Sequence, residues 1–152
     1  MKNLIITTLI LGLFSFTNQL EAHTPVTPCN KIELPNGTLV SLETTEQIQS
    51  NKMTVGRIVK CKITTDVVVD GKVVIRTGAI AHARVTRITP TTYNGPEQIT
   101  LSAINAQAAD GQIIALNGVE QTFKGRLPGQ PMNVYIGTPL SAHVTNNCDI
   151  NL

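Results

Sequence analysis

Apolar and polar residues alternate along this chain with period two, and helical spacing is rare. In Ile58 to Thr65 the residues Val59, Cys61 and Ile63 fall on one face and Lys60 and Lys62 on the other, the pattern of a strand with one side in a core. Val67-Val68-Val69 and Lys72-Val73-Val74-Ile75 flank Asp70-Gly71, a dipeptide suited to a type I′ hairpin because both residues tolerate positive φ. The same device recurs at Asp110-Gly111, between Gln98 to Ala106 and Gln112 to Leu116. A turn or so of helix around Thr45 to Asn51 is the sole helical candidate.

Three stretches repeat one another: Leu34 to Leu42, Ile75 to Ala83 and Val134 to Ala142 each run from an apolar lead-in through a Gly to a Thr or Ala and then a strand. Counting from that Gly, odd positions are small or apolar (Thr38, Val40, Leu42; Ala79, Ala81, Ala83, Val85; Thr138, Leu140, Ala142, Val144), and even positions include Ser41, Glu43, His82, Arg84, Ser141 and His143. The odd set should face a core and the even set water, with the Gly supplying the bend at which each strand begins. These signals predict an all-β chain: a small single-domain β-barrel or barrel-like sandwich of about eight strands. The polar, Pro/Gly-rich stretches 89–96 and 123–131 read as surface loops.

The first 22 residues depart from this pattern. Lys2, an apolar run from Leu4 to Phe16 too short to span a bilayer, and Ala22 at a small-residue cleavage position read as a secretory signal peptide. The expected layout is a leader at 1–22, a polar lead at 23–31, a β-barrel domain at 32–146 and a tail at 147–152. Export places the protein in the periplasm or outside the cell, with no stable membrane anchor after cleavage. A net charge of +2 argues against nucleic-acid binding. Aromatics make up 3% of the chain, so the folded part offers only Tyr93, Phe123 and Tyr135 as a possible ligand surface, too few for a stacking platform.

Three cysteines in an oxidising compartment allow one disulfide. Cys61, on the apolar face of its strand, reads as a small buried hydrophobe. Cys29 and Cys148, near the two ends of the mature chain, form the favoured pair, with Cys29 to Cys61 left open. His82 and His143 share the outward parity, but two imidazoles without a third ligand make a weak metal site, and His23 at a new N-terminus lacks a supporting ligand. The aspartates of the two Asp-Gly turns have structural work, and the glutamates are scattered. The residues therefore point to no catalytic set, no cofactor and no metal, and to a non-enzyme.

Leu34-Pro35-x-Gly37-Thr38, the Gly56 strand ending in Thr65-Asp66-Val67, the Asp70 to Ile75 hairpin followed by Gly78, and Asp110-Gly111 ahead of an apolar strand resemble the C-terminal β-barrel of TrbI-type channel proteins of type IV secretion and conjugation systems. The resemblance spans roughly residues 32–145 and is carried by turns and strand starts. That family's membrane helix, proline-rich stretch and helical antenna find no counterpart here. What the resemblance implies is a stand-alone barrel serving as a scaffold or protein-contact element in a bacterial cell envelope, with an envelope protein or a second copy as partner and an exposed strand edge as the contact. The alternative is a module binding a small ligand or cell-wall glycan at a barrel mouth.

Overall fold

The computed structural model describes residues 30–92 and 95–152. Its strands are β1 (Lys31–Leu34), β2 (Leu39–Thr44), β3 (Ile48–Gln49), β4 (Ile58–Ile63), β5 (Val67–Val69), β6 (Lys72–Ile75), β7 (Ile80–Thr89), β8 (Gln98–Gln107), β9 (Ile113–Gly118), β10 (Gln121–Lys124), β11 (Asn133–Val134), β12 (Pro139–Val144) and β13 (Cys148–Asn151). A single 3-10 turn at Ser50–Lys52 is all that remains of the helical expectation among the described residues. No helix among them is long and apolar enough to cross a membrane.

Every strand pairing is antiparallel, and the main sheet runs β10-β8-β7-β4-β2-β12-β9, with β8 also pairing β9. That last pairing closes β8, β7, β4, β2, β12 and β9 into a ring, so the expected barrel forms. The alternation explains the closure: Val40, Leu42, Val59, Ile63, Ala81, Ala83, Val85, Ala142 and Val144 all lie on inward parities and are essentially inaccessible. Eight strands give a barrel interior just wide enough for side chains to fill, so a six-stranded ring must be narrower. Alanines at 81, 83, 103, 106 and 142 meet that constraint, each at most 2% exposed to solvent. A one-residue slip on any strand would turn its polar face inward, which fixes the register.

The strand-starting glycines form one recurrent device. Gly37, Gly56, Gly78 and Gly137 have φ of +81, +91, +83 and +84°. Each is the third residue of a turn closed by an i+3 N–H to i C=O bond, at Pro35, Thr54, Arg76 and Tyr135. In each turn the Gly N–H donates to a residue on a neighbouring strand, and that residue's N–H donates back to the carbonyl just after the Gly. The residues so clasped are Val144, Val85, Ile63 and Thr44. The clasps are reciprocal: the turn before β2 grips β12 and the turn before β12 grips β2, while the turns before β4 and β7 grip each other's strands. Gly56 belongs to this set although it lies outside the three-fold sequence repeat.

Two expectations are corrected. Residues 148–151 are not a tail: they form β13, which pairs β1 with Leu34 opposite Cys148 and Lys31 opposite Asn151, and Ile150 joins Ile32 and Leu34 in the core. Asp110-Gly111 is not a second type I′ turn. Asp70 and Gly71 both take positive φ, at 50 and 74°, whereas at the later turn only Gly111 does. There the Ala108 N–H reaches the Gln112 carbonyl across a longer loop, which frees the Asp110 carboxylate to accept the N–H of Gln112 and of Asn151 on β13.

Candidate functional site

The ring has a seam. Strand β8 is bonded along one side to β7, while its other side is shared: residues 105–107 pair β9 and residues 98–101 pair β10. β9 passes into β10 at Gly118, where a Cβ would stand 2.2 Å from the Ala103 nitrogen and 2.5 Å from its oxygen, so only glycine allows this approach to β8. On its far side β9 runs beside β12 up to the bond from Val119 N–H to Ser141 C=O. Beyond that point the strands part, and a cleft of about 360 Å³ opens between β10 and the segment from Gln130 to Thr138.

The register tells which backbone groups of β10 face the cleft. Gly125 N–H donates to Glu97 C=O at 2.8 Å, and Lys124 stands opposite Gln98. Antiparallel pairs alternate between bonded and unbonded, so Gln121, Phe123 and Gly125 bond toward β8. The N–H and C=O of Thr122 and Lys124 point the other way, and among the described residues β10 pairs no second strand. This is an open edge of the kind a partner strand can extend.

Phe123 is half-buried and packs on the core, while Tyr135, in the turn before β12, is 67% exposed. Both line the cleft with Pro131, Met132, Asn133, Lys124 and Arg126. Its far wall is held from behind. Buried Ser50 donates to the Glu97 carboxylate at 2.6 Å and its N–H bonds the Met132 carbonyl, while Met132 N–H reaches Ser50 Oγ at 2.8 Å and Glu97 Oε2 at 3.2 Å. Thr44, wholly buried, donates to the Tyr135 carbonyl at 2.9 Å and accepts the Thr138 N–H at 3.2 Å, which fixes the turn that carries Tyr135. Two amide oxygens border the seam without a hydrogen-bond partner although buried: Asn133 Oδ1, in the cleft wall, and Gln121 Oε1 on β10. The cleft thus presents unspent backbone groups, apolar contact and positive charge.

Of the residues singled out from sequence, Phe123 and Tyr135 come together here, while Tyr93 lies outside the described residues. So do the leader at 1–22, His23 and Cys29. Cys148 is half-buried with its thiol toward the Asn146 carbonyl, and Cys61 is buried, so neither is bonded to the other. Because Leu34, and not Lys31, sits opposite Cys148, a bond to Cys29 requires the chain ahead of Lys31 to turn back along β1. Burial pushes the Cys61 thiol up to about 12, against the weaker opposing effect of a backbone hydrogen bond from Ala83. Cys61 is thereby a core hydrophobe, as its strand parity predicts.

His82 and His143 lie on β7 and β12, three strands apart whichever way one counts around the ring, and so on opposite sides of the barrel. His82 Nδ1 instead sits 2.8 Å from Asn105 Oδ1. No cluster of three metal-ligating side chains occurs among the described residues. Lys60 and Arg84 share the outward face, with Lys60 beside His82 and Arg84 beside Ile58, and Lys62 is paired to Glu43 at 3.0 Å. Sequence reasoning missed Lys124, Arg126 and Asn133. The one available signal was two cations bracketing a Gly within a loop already flagged by its Phe.

Comparison with known protein families finds none that matches the chain, and no curated protein is significantly similar to it.

Proposed function

We propose that this protein is an exported, non-enzymatic barrel module that works by protein contact in a bacterial cell envelope, and that the open edge of β10 is where the contact is made. One observation carries the reading: among the described residues β10 is hydrogen-bonded on one side only, and its other side faces a cleft instead of a neighbouring strand. Strand addition draws its affinity from backbone groups, which suits a chain so poor in aromatic and charged side chains. The export reading rests on the leader, and the similarity to TrbI-type barrels rests on the turns and strand starts; both agree with a scaffold role. In an oxidising envelope, Cys148 paired with Cys29 would tie the start of the mature chain to β13.

The test is capture from an envelope extract by the mature protein and by a Thr122→Pro variant. Thr122 N–H points away from β8, so proline there removes an edge donor without breaking the ladder. A partner retained by the native protein and lost by the variant supports the reading; equal retention overturns it. A second reading, a small-ligand or glycan site, is favoured by the size of the cleft and by Phe123 and Tyr135 in its walls. Saturable retention on peptidoglycan, abolished by Tyr135→Ala and untouched by Thr122→Pro, would select it.

A further inference from the structure

We infer that the segment which docks in the seam is an extended strand bearing acidic residues at alternate positions. This rests on the strand-addition reading and adds the chemistry of the partner. Lys124 and Arg126 stand on the rim of the cleft, both exposed. Neither takes part in an ion pair among the described residues, where the pairs are Lys31–Asp149 and Lys62–Glu43. No acidic side chain lines the cleft. Glu97, whose carbonyl accepts the N–H of the cleft residue Gly125, has its carboxylate already engaged by Ser50 and Met132. The site therefore carries positive charge that no acidic side chain answers among the described residues.

Strand geometry turns that charge into a pattern. Along β10, Phe123 and Gln121 face inward and Thr122 and Lys124 outward. A strand laid against the open edge places its own side chains in the same two alternating rows. Its outward row meets Lys124 and, one turn of the loop further, Arg126, so carboxylates there form favourable cross-strand pairs. Its inward row lies beside Phe123, Met132 and Asn133. Apolar residues fit the first two.

The experiment uses the full mature protein and a short labelled peptide alternating valine and glutamate, read by fluorescence anisotropy. Comparison peptides carry lysine for glutamate, or are N-methylated at alternate amides. The expected result is saturable binding of the glutamate peptide, at least roughly tenfold weaker binding of the lysine peptide, and loss of binding on N-methylation. Lys124→Glu combined with Arg126→Glu, both exposed changes that leave the core untouched, should reverse the preference between the two peptides. If both peptides bind equally and the charge reversal changes nothing, the acidic pattern is overturned while strand addition stands. If neither binds, strand addition itself falls. If the N-methylated peptide binds as well as the parent, the attraction is ionic only and the inference fails.

Discussion

Thr44 and Thr138 show how much a single hydroxyl decides in this molecule. Thr44 is a buried polar residue whose Oγ1 is spent on the turn that carries Tyr135. Its replacement by valine keeps the shape, and Thr138 still bonds the Tyr135 carbonyl. The loss should therefore stay near 1 kcal/mol rather than the larger cost of an orphaned group, measurable by urea unfolding, with a shift of the Tyr135 fluorescence reporting a loosened turn. Gly137→Ala tests the same turn from the backbone. No atom lies within 4 Å of the added Cβ, so the cost is that of placing an L-residue at φ +84°, about 1–2 kcal/mol. Cys61 gives a chemical test: in the folded protein it should not react with a thiol reagent at neutral pH, and full reaction should appear only in denaturant. Its inward parity was legible in the sequence because Lys60 and Lys62 flank it. The clasp that seizes Thr44 was not, since nothing near Thr44 in the chain announces a turn nearly a hundred residues away.

At the scale of strands and turns, legibility followed the range of the interaction. The alternation of β2, β4, β7 and β12 and the Asp70-Gly71 hairpin are set by neighbours in sequence and could be read there. From sequence alone the residues of β13 read as a tail, because four residues, one face polar, make a strand only once β1 is beside them. The seam was hidden for a similar reason: whether an edge is open depends on which strand lies next to it, and β10 alternates like any paired strand. Asp110 adds a tie to β13 beyond its pairing with β1. Despite the opposing desolvation, the N–H groups of Asn151 and Gln112 hold its carboxyl below the usual carboxylate range, and the Thr77 N–H at 2.6 Å does the same for Asp66. A depressed native pKa means that the stabilisation is present above the unfolded-state value, about 3.9, and is lost as pH falls through the native one. Asp110→Asn and Asp66→Asn should each flatten the acid limb of a stability-against-pH curve followed by circular dichroism. At the fork of the sheet, Gly118→Ala should cost about 1–3 kcal/mol or more by forcing β9 off Ala103, because the obstacle is backbone and cannot swing aside.

For the whole molecule, the ring and its reciprocal clasps tie regions far apart in sequence, so loss at one strand should be felt as global unfolding. Ile150→Ala, at a wholly buried position close to the end of the chain, is expected to lower stability by about 2–5 kcal/mol, in a single transition seen alike by circular dichroism and tyrosine fluorescence. The pairing of β1 with β13 carries one more consequence. Leu152 N–H reaches the Asn30 carbonyl at 3.2 Å, so the first and last described residues are neighbours in space. The barrel is then topologically indifferent to where its polypeptide starts. A circularly permuted gene that joins the two by a short linker and opens the chain at the exposed Asp70-Gly71 turn should still encode the same ring, with its seam intact and both new ends far from it.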